Sequence, residues 1–206
     1  MAHAPDQLTY LVTGGAGFIG SNFVHHVLQE HPGCRVVNLD KLTYAGNLDN
    51  LKDTADDTRH RFVQGDIADA ELVASLFRDG IDVVVNFAAE THVDRSIGDP
   101  TEFLRTNING SYVLLEAART HGIKKFIQIS TDEVYGSIEP GRSSVETDEL
   151  LPRNPYSATK VGADRLAYSF FASYGLPVCI TRASNNYGPY QYPEKLIPLF
   201  VTNLLE

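Results

Sequence analysis

An α/β fold, a doubly wound parallel sheet with helices on its faces, is what this sequence predicts. Three observations predict it. Strand-like apolar runs and helical patterns alternate along the 206 residues, the order that produces parallel strands linked by crossover helices. Several of the runs are almost continuously apolar, as in Val83-Val84-Val85 and Phe126-Ile127-Gln128-Ile129, which suits strands buried on both faces. The first two strands are also joined through a glycine-rich turn and a helix, and the second ends on an acid.

The first strand, at 8–13, runs directly into Thr13-Gly14-Gly15-Ala16-Gly17-Phe18-Ile19-Gly20 and a helix near 18–30. The spacing is G-x-x-G-x-x-G. Gly14 allows a tight turn, Gly17 lets the backbone approach a pyrophosphate, and Gly20 lets the helix pack close to the strand. A pyrophosphate there meets the free N–H groups and the positive dipole end of the helix. The second strand, at 35–39, leads into Asp40. A carboxylate at this place accepts hydrogen bonds from the adenosine ribose and repels a 2′-phosphate, which favours NAD over NADP. The neighbouring Lys41 is read as a solvated cation.

Further strands follow at 61–64, 82–87, 125–130 and 177–181, with helical patterns near 71–77, 101–121 and 156–174. Asp69 and Asp99, the latter just before Pro100, are helix-start signals. The stretches 43–58 and 136–154 are irregular, and loops of that length in a compact domain are usually functional. Six strands are enough for a doubly wound, Rossmann-type sheet, in which ligands bind beyond the carboxyl ends of the strands, where the strand order reverses. That rule singles out Asp66-Ile67, Ala88-Ala89-Glu90-Thr91, Thr131-Asp132-Glu133 and residues 182–187.

Composition narrows the function. A formal charge of -9, with no stretch concentrating Lys and Arg, argues against a nucleic-acid surface. No apolar run reaches the ~20 residues that cross a bilayer, and the N-terminus lacks the basic and apolar regions of a signal peptide. The two cysteines, Cys34 and Cys179, sit among strand-like residues and are read as buried free thiols of a reducing cytoplasm. No His or Cys cluster has metal-ligand spacing, and His25-His26 reads as a helix-surface pair.

Tyr156 and Lys160 form Y-x-x-x-K at the start of a helix, one turn apart on one face. A tyrosine of pKa near ~10 is a poor base at neutral pH. A nearby ammonium and the positive nicotinamide ring of NAD bring it toward the working range, and a phenolate beside a hydride acceptor can oxidise a secondary alcohol. Thr131-Asp132-Glu133 follows the fifth strand at the same edge of the sheet. Two adjacent carboxyls there suggest acid and base steps that simple alcohol oxidation does not need.

The segments Thr13–Gly20 (numbers 13–20), DKLTYAGN at 40–47, AAETHVDRSI at 88–97, STDEVYG at 130–136, YSATK at 156–160 and NNYGPYQYPEKLIP at 185–198 closely resemble the dTDP-glucose 4,6-dehydratases of the extended short-chain dehydrogenase/reductase superfamily. The similarity runs over essentially the whole chain. Its most discriminating piece is Asp132-Glu133, which related epimerases and decarboxylases of sugar nucleotides usually lack.

The resemblance implies a redox-neutral dehydration. Tyr156 takes the proton from the hydroxyl on sugar carbon 4 as NAD accepts the hydride, with Thr131 bonded to that oxygen and Lys160 on the nicotinamide ribose. Glu133 then removes the proton on carbon 5, Asp132 protonates the departing hydroxyl of carbon 6, and the hydride returns to carbon 6. Phe18, Ile19, Leu42 and Thr43 join the glycines, Asp40 and Lys41 around the cofactor. Asp66 and Ile67 meet the adenine, while Ala88, Ala89 and Thr106 line its path. Thr91, Asn185, Glu194, Lys195, Leu196 and Pro198 contact the nucleotide sugar, with Lys195 near the diphosphate.

A homodimer is implied too, through the helices at 101–121 and 156–174, the second presenting Leu166, Phe170 and Phe171. Residues 1–182 are assigned to NAD binding and 183–206 to the start of a substrate portion. Family members continue past Asn203-Leu204-Leu205-Glu206, here within an amphipathic-looking helix, so a fragment or a shortened relative is expected. An epimerase or decarboxylase, and a non-catalytic NAD-binding module, are the alternatives. Asp132-Glu133 speaks against the first and the complete catalytic set against the second.

Overall fold

The computed structural model of the protein describes residues 7–205; residues 1–6, most of the stretch tested for a signal peptide, and Glu206 lie outside the described residues. The strands β1 (Thr9–Thr13), β2 (Arg35–Asp40), β3 (His60–Gln64), β4 (Val83–Asn86), β5 (Lys125–Thr131) and β6 (Val178–Ala183) form one sheet in the order β3-β2-β1-β4-β5-β6. Every neighbouring pair is parallel. The strand order reverses at β1, which lies between β2 and β4, so a crevice opens beyond the carboxyl ends of β1 and β4.

The helices are α1 (Phe18–Glu30), α2 (Ala70–Phe77), α3 (Val93–Gly98), α4 (Thr101–Phe103), α5 (Ser111–His121), α6 (Pro155–Tyr174) and α7 (Leu196–Leu205). The pattern at 101–121 is a continuous helix whose middle, Leu104–Gly110, widens into π-helix. Asp69 caps α2 by accepting from the N–H groups of Glu71 and Leu72 at 3.1 and 3.0 Å, and Asp99 accepts from Thr101 N–H at 2.9 Å. The irregular stretch at 43–58 contains a 3-10 helix, Leu48–Thr54. Helix α3 carries no apolar periodicity in VDRSIG. Tertiary contact holds it, since the buried Ser96 hydroxyl accepts from Tyr156 N–H at 3.1 Å.

Alternation along the strands builds two cores. Leu11 joins Val37, Leu39, Val84 and Phe126 under α2, α5 and α6. Val12 points the other way and joins Val36, Val24 and Val27 under α1. The second face is covered around β1 and β2 but not at β5, where buried and more exposed residues alternate, nor at β6, where none is buried. Burial on both faces therefore holds for the centre of the sheet and not for its β6 edge. Cys179 stands on the uncovered face and is exposed, contrary to the expectation of two buried thiols; Cys34 is buried and both are free.

Other expectations change with packing. His26 is exposed, but His25 is half-buried with Nε2 2.7 Å from the Asn50 carbonyl. Leu166 and Phe170 pack onto the chain's own core, leaving Phe171 exposed with Tyr112, Tyr168 and Tyr174. Helix α7 reads LIPLFVTNLL and buries none of its residues. Among the described residues no helix is long and apolar enough to cross a membrane, and no group of His, Cys, Asp and Glu is arranged to hold a metal ion.

Candidate active site

The site begins at the glycine turn. Gly14 has φ +70°, its N–H donates to the Leu39 carbonyl at 2.9 Å, and a Cβ there would lie 2.7 Å from the Ala88 nitrogen. A Cβ on Gly20 would sit 2.2 Å from the Gly14 carbonyl oxygen, so α1 packs against the turn as the spacing predicts. At Gly17 the nearest atom is 3.3 Å away, the same oxygen, and the position is otherwise open. Helix α1 has neither a side-chain cap nor an acid in its first turn. Its leading N–H groups are left for an anion.

Asp40 closes the floor of the turn. Its two carboxylate oxygens accept from the N–H groups of Ala16 at 2.9 Å and Leu42 at 2.8 Å. Burial raises its pKa, and the two amide bonds oppose the rise. Lys41 is not simply solvated. It pairs with Asp66 at 3.1 Å and Glu102 at 3.4 Å, and Arg105 also reaches Asp66 at 3.1 Å. Burial pushes the Asp66 carboxyl up, but the Ala68 N–H, Lys41 and Arg105 outweigh it and hold the pKa below the usual value.

A cavity of about 590 Å³ runs along the carboxyl ends of the strands, within the range of small-molecule and cofactor sites. Every residue assigned to the site from the sequence lines it except Leu42, Asp132 and Pro198. Leu42 adopts φ +57° and packs into the core beneath α1. Asp132 is exposed beside the cavity, accepting the Thr131 hydroxyl at 3.3 Å. Pro198 follows the last lining residue, Ile197, within α7.

At the β5 end of the cavity, Thr131 starts a 3-10 turn, Asp132–Tyr135, and its hydroxyl accepts from Glu133 N–H at 3.3 Å. Opposite, Asn154 and Ser157 form a capping box with Pro155 at the first turn of α6. This start places Tyr156 one residue into the helix and Lys160 one turn further. Asn154 does a second job, because its amide donates to Glu133 Oε2 at 3.2 Å. Tyr156 is buried, and its pKa is pushed up to about 12, first by burial and then by the charges of Glu133 and Asp132, with a hydrogen bond from Thr131 opposing.

Lys160 donates to the Ile129 carbonyl at 2.6 Å. Burial takes its pKa down to about 8, against the charge of Asp164. The side chains of the chain alone thus move Tyr156 upward, not downward as the Y-x-x-x-K spacing suggests. Burial and two carboxylates set this direction, while the Lys160 ammonium is turned to the Ile129 carbonyl.

Asn107 is a residue the sequence reading missed. It lies in the π-helical segment, 2% exposed, and its amide bonds the Glu90 carbonyl at 3.0 Å and the Thr159 hydroxyl at 2.9 Å while accepting from Glu90 N–H at 2.9 Å. It thereby joins the loop after β4 to α6. A π-helical register, frequent at functional sites, gives no periodic signal in sequence. At the far end Tyr44 donates to Glu194 at 3.3 Å, with the Arg95 guanidinium 4.1 Å from the centre of its ring.

Residues 11–206 match the family described as GDP-mannose 4,6 dehydratase. The chain belongs to this family. The dTDP-glucose 4,6-dehydratase of Streptomyces antibioticus is 56% identical over 204 residues, covering 97% of this chain and 59% of the relative. The low-salt glycan biosynthesis protein Agl12 of Haloferax volcanii is 58% identical over 191 residues, 93% of this chain and 61% of that protein. The solved dTDP-glucose 4,6-dehydratase of Streptomyces venezuelae, with NAD bound, superposes with a TM-score of 0.91 at 53% identity, covering 96% of this chain and 62% of the other. The chain thus spans about three fifths of the length of these relatives. Family and strand order together bear out the Rossmann-type fold of the extended short-chain dehydrogenases/reductases and the dehydratase resemblance.

Proposed function

We propose that the protein is an NAD-dependent hydro-lyase that converts dTDP-glucose to dTDP-4-keto-6-deoxyglucose. The observation that carries this reading is the meeting of Glu133, Tyr156 and Lys160 on one cavity that also opens onto the uncapped start of α1. A plain alcohol dehydrogenase has no use for a carboxylate in that position.

The open Gly17, the free N–H groups of α1 and Asp40 suit the pyrophosphate and ribose of NAD, and Asp66, Ile67, Ala88, Ala89 and Thr106 flank its course. NAD supplies a hydride acceptor, a later hydride donor and a positive ring that favours the Tyr156 phenolate. Tyr156 takes the proton of the carbon 4 hydroxyl while Thr131 bonds that oxygen. The resulting ketone acidifies carbon 5, and Glu133, steered by Asn154, removes that proton and returns one to carbon 5 after carbon 6 has been reduced. Asp132 gives a proton to the carbon 6 oxygen, which leaves as water. Thr91, Asn185, Glu194, Lys195 and Leu196 hold the nucleotide sugar, residues 1–182 serving the cofactor and 183–206 the substrate. Free thiols suit a cytoplasmic enzyme, and the exposed Tyr112, Tyr168, Phe171 and Tyr174 suit a homodimer built on α5 and α6.

Incubation with dTDP-glucose followed by mass spectrometry tests the reading. Loss of one water without one-for-one accumulation of reduced nicotinamide is expected. A product of unchanged mass would point to an epimerase.

A further inference from the structure

One turn beyond Lys160 on α6 lies Asp164, 1% exposed. Its Oδ2 accepts from Arg182 Nε at 3.0 Å, and the Arg182 side chain is itself only 14% exposed. A second guanidinium nitrogen donates to the Tyr135 hydroxyl at 2.8 Å, with the guanidinium carbon 5.1 Å from the centre of the Tyr135 ring. Tyr135 ends the 3-10 turn that begins at Asp132. A partly buried polar chain therefore runs from the Lys160 side of α6, across β6, to the turn that carries Asp132 and Glu133.

The chain holds two cations and one anion. Two well-packed apolar residues in place of Asp164 and Arg182 would serve stability as well, so the pair calls for another reason. Asp164 opposes the fall that burial imposes on the Lys160 pKa, and Arg182 opposes the rise that burial imposes on the Asp164 carboxyl while bonding the far end of the acidic turn. Asp164, one turn along the same helix, is the charged group that acts on Lys160; Tyr156 and Glu133 line the same cavity, and Arg182 and Tyr135 follow beyond Asp164.

We propose that Asp164 is a positioning residue which, with Arg182 and Tyr135, locks the Lys160 ammonium and the acidic turn into one unit, so that the groups for oxidation and for elimination keep a common geometry. The inference rests on the dehydratase reading above.

Two variants test it in the full-length enzyme. Tyr135→Phe removes one hydroxyl and leaves the ring in place. Oxidation at carbon 4 should stay near the native rate, while solvent deuterium exchange at carbon 5 should fall at least about tenfold, the size expected when a reacting group is misplaced. Asp164→Asn should move the alkaline limb of the kcat profile down by about one pH unit, as Lys160 loses its counter-charge, while the KM for dTDP-glucose stays within about twofold. Asp164→Glu should restore the limb. Oxidation and exchange falling together in Tyr135→Phe, or an alkaline limb unmoved in Asp164→Asn, would overturn the proposal. If the native enzyme removes no water from dTDP-glucose, the dehydratase reading falls separately. Lysine-selective NMR then still decides the inference, because Lys160 titrating at the same pH in Asp164→Asn and native protein overturns it.

Discussion

Asp40 Oδ2 accepts the backbone N–H of Ala16 at 2.9 Å, so the acid that ends β2 also pins the glycine turn that follows β1. Replacing Asp40 by Ala strands this N–H and that of Leu42. Each orphaned donor that stays buried costs about 1–3 kcal/mol. Asp40→Ala should therefore lower the urea midpoint as well as NAD affinity, and Asp40→Asn, which keeps one acceptor oxygen, should do less of both.

Gly17 and Gly20 separate binding from packing. A Cβ at Gly20 falls 2.2 Å from the Gly14 carbonyl oxygen, whereas at Gly17 the closest atom is 3.3 Å away. Gly20→Ala is expected to destabilise the fold by about 1–3 kcal/mol through overpacking. Gly17→Ala should keep its melting temperature within a few degrees of native and lose NAD affinity, since the methyl group occupies the backbone's approach to the pyrophosphate. Calorimetric melting and NAD titration on the two variants read both effects.

Lys160 makes stability depend on pH. Its pKa falls from 10.5 to about 8 on folding, chiefly through burial. Below about 8 both states hold the proton, and the buried ammonium counts against the fold. Between about 8 and 10.5 the unfolded chain binds more protons than the folded one, so this group's contribution to stability rises with pH across that window. Urea midpoints measured from pH 8 to 10 should contain this rise in the native protein and lack it in Lys160→Met.

Glu133→Gln should split the reaction. The proposed base for carbon 5 is removed, and loss of a general base costs about 10²–10⁴ in rate, so deuterium should scarcely enter carbon 5. The same change deletes a negative charge that raises the Tyr156 pKa. Oxidation should therefore persist, with its acid limb displaced to lower pH. Exchange at the native rate would place the base elsewhere.

Phe171 lies on the exposed face of α6, 54% accessible, where a charge is tolerated by the folded monomer. If the proposed homodimer forms through α6, Phe171→Glu should leave NAD binding intact and shift sedimentation of the full-length protein from dimer to monomer. A dimer that persists at micromolar concentration would remove α6 from the interface.

Much of this protein was legible in its sequence because local chemistry dictates it. Gly14, Gly17 and Gly20 follow a spacing that only close backbone contact requires, and Asp40 ends a strand whose apolar pattern is plain. Tyr156 and Lys160 share a helix face by virtue of four-residue spacing, while Asp69 announces its helix through a side-chain cap and Asp99 through its bond to the Thr101 N–H. What the tertiary structure decided depends on groups distant in the chain. The left-handed turn at Leu42 removes its side chain from the cavity, and Cys179 is exposed because α1 does not reach that part of the sheet. Lys41 finds Asp66 and Glu102, Asn107 finds Glu90 and Thr159, and Asp164 finds Arg182. The direction of the Tyr156 shift belongs to the same class. Spacing places an ammonium one turn away, but burial and facing carboxylates set the balance of charge, and those come into being only when the sheet closes around them.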